Sequence, residues 1–176
     1  MRIDNPLFQP GDLNTVASAS FIPSFEWIDG GTITIAAVPG GTTPAKGTTT
    51  YDKVRYRKIN SDTYEVDYNF YQTTAGTAGN LQYLFSLPAG ITWGPGVSVT
   101  TSNTIATYLP VVLPTDGQYL QVGSFLQRIV AVLPYDSTRF RLIGADLDGQ
   151  FSQISSVYFA LSNAGMGYKI RFYTTV

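Results

Sequence analysis

The sequence contains no cysteine and no histidine. Their absence excludes disulfides, thiolate metal sites, histidine-held zinc, Ser-His-Asp triads and Cys-His dyads. It leaves the redox compartment open, because a cysteine-free chain tolerates both kinds. Charge is scarce as well: Asp, Glu, Lys and Arg make up 13% of 176 residues, roughly half the ordinary share. The net charge of -1 supplies no basic field for nucleic acid. No apolar run approaches the roughly 18 residues of a membrane-spanning helix, and the first residues lack the apolar centre of a signal peptide. Glutamate occurs only as Glu26 and Glu65. A glycosidase needs two carboxylates facing each other across a cleft, and the aspartates lie mostly in turn sequences. The expectation is a protein that is not an enzyme and carries no cofactor.

What the chain does have is aromatic and apolar residues, with 12 Tyr, 10 Phe and 44% hydrophobic residues overall. These favour strands. The clearest pattern runs over residues 53–87. Tyr64, Val66, Tyr68 and Phe70 alternate with Thr63, Glu65, Asp67 and Asn69, the period of a strand with one aromatic and one polar face. Before it, Val54 and Tyr56 alternate with Lys53, Arg55 and Arg57. Asn60, Ser61 and Asp62 between the two runs are turn formers. A three-residue loop there predicts the pairs Arg57 with Glu65, Arg55 with Asp67, Tyr56 with Val66 and Val54 with Tyr68. Charges then meet on a wet face and apolar groups on a dry one. A slip of one residue would put charge into the core, so the register is well specified.

Residues 1–23, interrupted by Pro6, Pro10, Gly11 and Pro23, read as an arm. It is either a loosely ordered terminus or a segment that orders on a neighbouring subunit or particle. Residues 24–176 read as one domain. Residues 25–38 suggest a strand or hairpin, and residues 39–50 a Gly-, Pro- and Thr-rich surface loop. Residues 81–87 read as a strand buried on both faces or at an interface. Short strands are expected near residues 97–108, 119–122, 139–143 and 154–161, with turns at 115–117 and 162–167. Residues 125–133 admit a helix, but the β-branched Ile129, Val130 and Val132 favour a doubly buried strand. Residues 168–176 read as a central closing strand. About 9–11 short strands with turns near every tenth residue predict an all-β, antiparallel jelly-roll sandwich.

Few residues suggest chemistry. Asp146 and Asp148, two carboxylates before a glycine, start either a calcium loop or a polar hairpin turn. Arg55 and Arg57, with Lys53 and Lys58, either hold an anionic glycan or form a solvated sheet face neutralised by Glu65 and Asp67. Trp27 and Trp93, and the glycine-rich tips near Gly40 and Gly76, are candidates for stacking on sugars. Buried anchoring is the other use of either tryptophan.

The run YRKINSDTYEVDYNFYQTTAGTAGNLQYLFSLPAG, with the terminal YKIRFYTT, resembles the head domains of phage tail fibres and of large DNA-virus particles. The likeness covers about residues 54–90 and the last ten. The glycine usual in the first hairpin turn is replaced here by Asn60-Ser61-Asp62. Those domains are similar to complement-type and tumour-necrosis-factor-like jelly rolls. The resemblance implies a homotrimeric virion structural protein, a spike or fibre head or a capsid-associated component. Such a protein would contact other virion proteins through its arm, and host-surface glycans at its head. A carbohydrate-binding module and a polysaccharide hydrolase are the alternatives.

Overall fold

The computed structural model describes residues 26–94, 114–122, 125–145, 151–153 and 158–173. Among them the chain is all-β, with ten strands and a single 3-10 turn at Tyr158–Ala160. The strands are β1 (Ile28–Asp29), β2 (Ile35–Ala37), β3 (Thr49–Lys58), β4 (Thr63–Gln72), β5 (Tyr83–Ser86), β6 (Pro114–Val122), β7 (Phe125–Pro134), β8 (Arg139–Ala145), β9 (Phe151–Gln153) and β10 (Ala164–Tyr173). Every pairing is antiparallel, in the order β1-β3-β4-β10-β6-β7-β8-β5-β2, with β9 beside β8. This order mixes the hairpins β3-β4, β6-β7 and β7-β8 with the long-range pairs β4-β10 and β5-β8. By itself it does not establish a jelly-roll path.

The β3-β4 hairpin has the register its sequence dictates. Arg57 faces Glu65, Arg55 faces Asp67, Tyr56 faces Val66 and Val54 faces Tyr68. Asn60 closes the loop through its side-chain oxygen, which accepts the Asp62 amide at 3.1 Å, the local bond that makes asparagine a turn former. β10 lies between β4 and β6, so the closing strand is central.

The sheet folds over so that β4 and β10 face β5 and β8. Tyr68 on β4 meets Phe140 on β8 edge-on at 5.6 Å, and Tyr168 on β10 meets Phe85 on β5 at 6.3 Å. Tyr68 and Tyr168 stack at 4.6 Å. These rings, with Val66, Ile170, Ile129, Val132 and Leu142, form one buried core. Leu84 on β5 is buried in a second cluster with Val38 and Tyr135, so β5 is covered on both faces, as its near-continuous apolar run requires.

Burial pushes both stacked phenols well above their ordinary pKa. They differ in hydrogen bonding. The Tyr68 hydroxyl donates to the Ser86 carbonyl at 3.0 Å, whereas the Tyr168 hydroxyl finds no partner among the described residues. Tyr68→Phe is therefore expected to cost about 1 kcal/mol, while Tyr168→Phe is neutral or stabilising because it removes an unsatisfied buried group. Urea unfolding of the two variants checks this, and equal losses would refute it.

Several local readings change. Residues 25–38 are not a hairpin. β1 pairs with β3 at one edge of the sheet and β2 with β5 at the other, so this segment crosses from one layer to the other. At the crossing, Asp52 accepts the Ile33 amide at 2.9 Å. Lys46 donates to the Ile33 carbonyl and pairs with Asp52 at 2.6 Å. Side chains thus satisfy backbone groups that have left the ladder. Residues 115–117 are no turn but part of β6, which meets β10 with register irregularities near Lys169. Residues 164–167 belong to β10 rather than to a turn, and 158–160 form a 3-10 turn rather than strand. The arm, residues 1–23, and the strands expected near 97–108 lie outside the described residues.

Candidate functional site

The outward-facing side chains of β3, β4 and β10 form four rows, each crossing three strands. Tyr51, Tyr71 and Gly165 make the first. Lys53, Asn69 and Gly167 make the second. Arg55, Asp67 and Lys169 make the third, and Arg57, Glu65 and Arg171 the fourth. Successive rows lie about 7 Å apart, two residues along a strand.

The expected wet face is not wet at its acidic centre. Glu65 is 2% exposed and Asp67 5%. The reason is the third strand. β10 places Arg171 beside Glu65, so this carboxylate is clamped from both sides, by Arg57 at 2.5 Å and Arg171 at 2.8 Å. Asp67 pairs with Arg55. Burial pushes Glu65 up, but the hydrogen bonds and charges of Arg171 and Arg57 outweigh it and hold its carboxyl below the usual range.

Trp27 lies over this ladder, half-buried, ahead of β1. Its ring centroid is 4.7 Å from the Arg57 guanidinium carbon, 5.1 Å from that of Arg55 and 5.9 Å from Lys169 Nζ. Cations at these distances are drawn to the ring's negative face. At the edge, Asp29 pairs with Lys53 at 3.1 Å. The Gly31 amide and the Lys53 ammonium hold Asp29 below its ordinary pKa.

Beside Trp27 runs a groove of about 930 Å3, bordered by Tyr51, Lys53, Arg55, Asn69 and Tyr71. Tyr51 is 61% exposed and Tyr71 38%. The Tyr71 ring is held in place. A Cβ at Gly165 would meet its Cδ2 at 3.1 Å, and its hydroxyl bonds Asn163 Oδ1 at 3.2 Å. The missing side chain at Gly165 is what lets the ring lie across β10.

Of the sequence candidates, Trp27, Arg55 and Arg57 therefore come together on one face. Trp93 does not join them. It is 5% exposed, packs against Phe172 at 4.5 Å and Phe140 at 5.7 Å, and donates its ring N–H to the Arg139 carbonyl at 3.4 Å. It is an anchor of the core, with no ring face left for a sugar. The tip near Gly76 is packed against residues 45–47 and Phe159, so it is no free stacking surface either. Asp146 and Asp148 lie outside the described residues. Sequence reasoning missed Tyr51, Tyr71, Asn69 and Lys169. One signal for Tyr71 was present: it continues the polar parity of Glu65, Asp67 and Asn69, where an aromatic has no core to fill.

Among the described residues no group of three or more acidic side chains is placed to hold a metal ion. No helix there is long and apolar enough to cross a membrane. No family model, curated protein or solved structure matches the chain.

Proposed function

We propose that the chain is a non-enzymatic structural protein of a virus particle. It would be the head of a spike or fibre, homotrimeric, joined to other virion proteins by residues 1–23 and presenting its β3-β4-β10 face for host attachment. The observation that best supports a recognition role is that face: a groove with aromatic and cationic walls on three long strands paired with one another. Its carboxylates favour binding over catalysis. Asp29 and Asp52 border the groove, and each is already paired with a lysine. A polysaccharide hydrolase instead needs one acid with a raised pKa facing a second carboxylate.

A free-standing carbohydrate-binding module is the second reading, and the exposed Tyr51 and Tyr71 favour it. The two readings differ in assembly. Light scattering on the full chain, and on a chain lacking residues 1–23, separates them. The head reading expects three times the 19.2 kDa of one chain, kept after trimming. A monomer in both cases would remove it and leave the stand-alone module.

A further inference from the structure

We infer that the outer face of β3, β4 and β10 binds an acidic saccharide. Its sugar ring stacks on Tyr51 and Tyr71, and its carboxylate or sulfate is held by Lys53, Arg55 and Lys169. This rests on the recognition reading above and names the ligand class of the same face.

Geometry gives the first reason. The tyrosine row lies at one end of the face and the cation rows follow it, about 7 Å and 14 Å further along the strands. Asn69 stands beside Lys53 in the first of these cation rows, with an amide that both donates and accepts, as sugar hydroxyls require. The Tyr71 ring takes the place of a side chain over Gly165, and Gly167 leaves the β10 side of the next row without bulk. A ligand can therefore lie flat against the sheet. One sugar ring on Tyr71 then brings its neighbour over Asn69 and an acid group to Lys53 and Arg55. The groove volume of about 930 Å3 suits an oligosaccharide rather than a single ion.

Charge gives the second. The four rows, with Asp29 and with Asp116 opposite Lys169, hold five cationic groups against four carboxylates, on a chain whose net charge is -1. The positive excess is local to this face. Lys169 stands opposite Asp67 on β4 and Asp116 on β6, and Asp67 pairs with Arg55. Among the described residues Lys169 has no carboxylate partner, only the Trp27 ring. A small acidic ligand completes that arrangement. A long polyanion such as nucleic acid would meet the acidic remainder of the chain.

Preorganisation gives the third. Tyr71 is fixed by Asn163 and by its seat over Gly165, and Arg55 by Asp67 and Trp27. Little side-chain freedom is lost when a ligand docks on groups already held.

The test is calorimetric titration of the full chain at low salt. The acidic probes are sialyllactose, a heparin-derived hexasaccharide and hexagalacturonate. Cellohexaose and inorganic sulfate are the neutral and sugar-free controls. At least one acidic probe is expected to bind about tenfold or more tighter than either control. Tyr71→Ala, Tyr51→Ala and Lys169→Met are each expected to weaken it about tenfold, the loss of one good contact. Tyr71→Phe keeps the ring and is expected to keep most of the affinity. The inference falls if no acidic probe binds at millimolar concentration, if cellohexaose binds equally well, or if the Tyr71 and Lys169 variants bind like the parent. Light scattering on the same samples keeps the two readings apart. A trimer without binding removes the saccharide site alone, and a monomer with binding removes the particle head alone.

Discussion

Replacing Glu65 with alanine is expected to destabilise the fold by about 3 kcal/mol, because the change leaves two arginines without the acceptor they share. In a domain of this size that lowers Tm by about 6–12 °C. Glu65 is 2% exposed and sits at the middle of a three-strand row, bonded to Arg57 on β3 and Arg171 on β10. Arg171 is half-exposed and Arg57 about a quarter exposed, so both recover some hydration. For that reason the cost falls at the low end of the range for a broken buried pair. Glu65→Gln keeps one good acceptor but turns its amide N–H groups toward the second guanidinium, so about half the loss is expected. The triple change Glu65→Leu, Arg57→Met, Arg171→Met removes the whole ionic group and is expected to recover most of the stability. Chemical denaturation of the three variants decides the matter. A Glu65→Ala loss below about 0.5 kcal/mol, the scale of a surface pair, would show that the clamp contributes nothing.

The same residue sets an acid limb. The folded-state pKa of Glu65 is depressed, so the folded protein binds fewer protons than the unfolded chain in the acid range. Its contribution is complete above the unfolded value near 4.5. It is lost as pH falls through the folded pKa. Asp136, buried enough to be pushed up but held down more strongly by Thr138 and Arg139, acts in the same direction. Glu65→Ala is therefore expected to flatten the fall in stability below pH 4.5 without abolishing it.

The sequence carried the β3-β4 register because two alternating runs, opposite charges and a turn-forming loop all agreed on it. It carried the central place of β10 because Tyr168, Ile170 and Phe172 alternate so regularly. It misplaced the start of that strand, because Gly165 and Gly167 read locally as turn residues. Their reason is non-local: the Tyr71 ring lies over Gly165. The burial of Glu65 and Asp67 was hidden for a related reason. Two strands give each acid one arginine and one open side. Only the arrival of β10, about a hundred residues later, and the overlay of Trp27 close that side. The sugar-facing role considered for Trp93 failed because a loop tryptophan beside prolines reads alike whether it points out or in. The groove itself was legible only in part, through Trp27, Arg55 and Arg57. Tyr71 could have been found from the polar parity it continues, whereas Tyr51 sits at the start of β3, where Thr49, Thr50 and Asp52 give no alternation to read.

Gly76→Ala is the other large effect expected, at about 3 kcal/mol or more. Residues 39–48 and 73–80 look like two independent glycine-rich loops, and the structure closes them against each other. Thr73 donates to the Thr48 carbonyl at 2.8 Å, Thr77 to that of Ala45 at 2.9 Å and Asn80 to that of Thr42 at 3.1 Å. Gln72, fully buried, ties both to the 3-10 turn. Its amide nitrogen donates to the Phe159 and Leu161 carbonyls, and its oxygen accepts the Gly47 amide at 3.0 Å. Gly76 sits inside this junction. An added Cβ would fall on the Ala45 carbonyl oxygen, 2.7 Å from the Gly47 nitrogen and 2.7 Å from the Phe159 oxygen. All three are backbone atoms, so no side chain can swing aside, and the Gly76 bond to Phe159 at 2.8 Å would break with the shift. Gly40→Ala is the matched control. Gly40 has φ 84° with nothing within 4 Å of its Cβ position, so alanine there meets only the left-handed penalty of about 1–2 kcal/mol. Urea unfolding is expected to rank Gly76→Ala well below Gly40→Ala in stability. The reverse order would mean that the two loops are not pressed together as the junction requires.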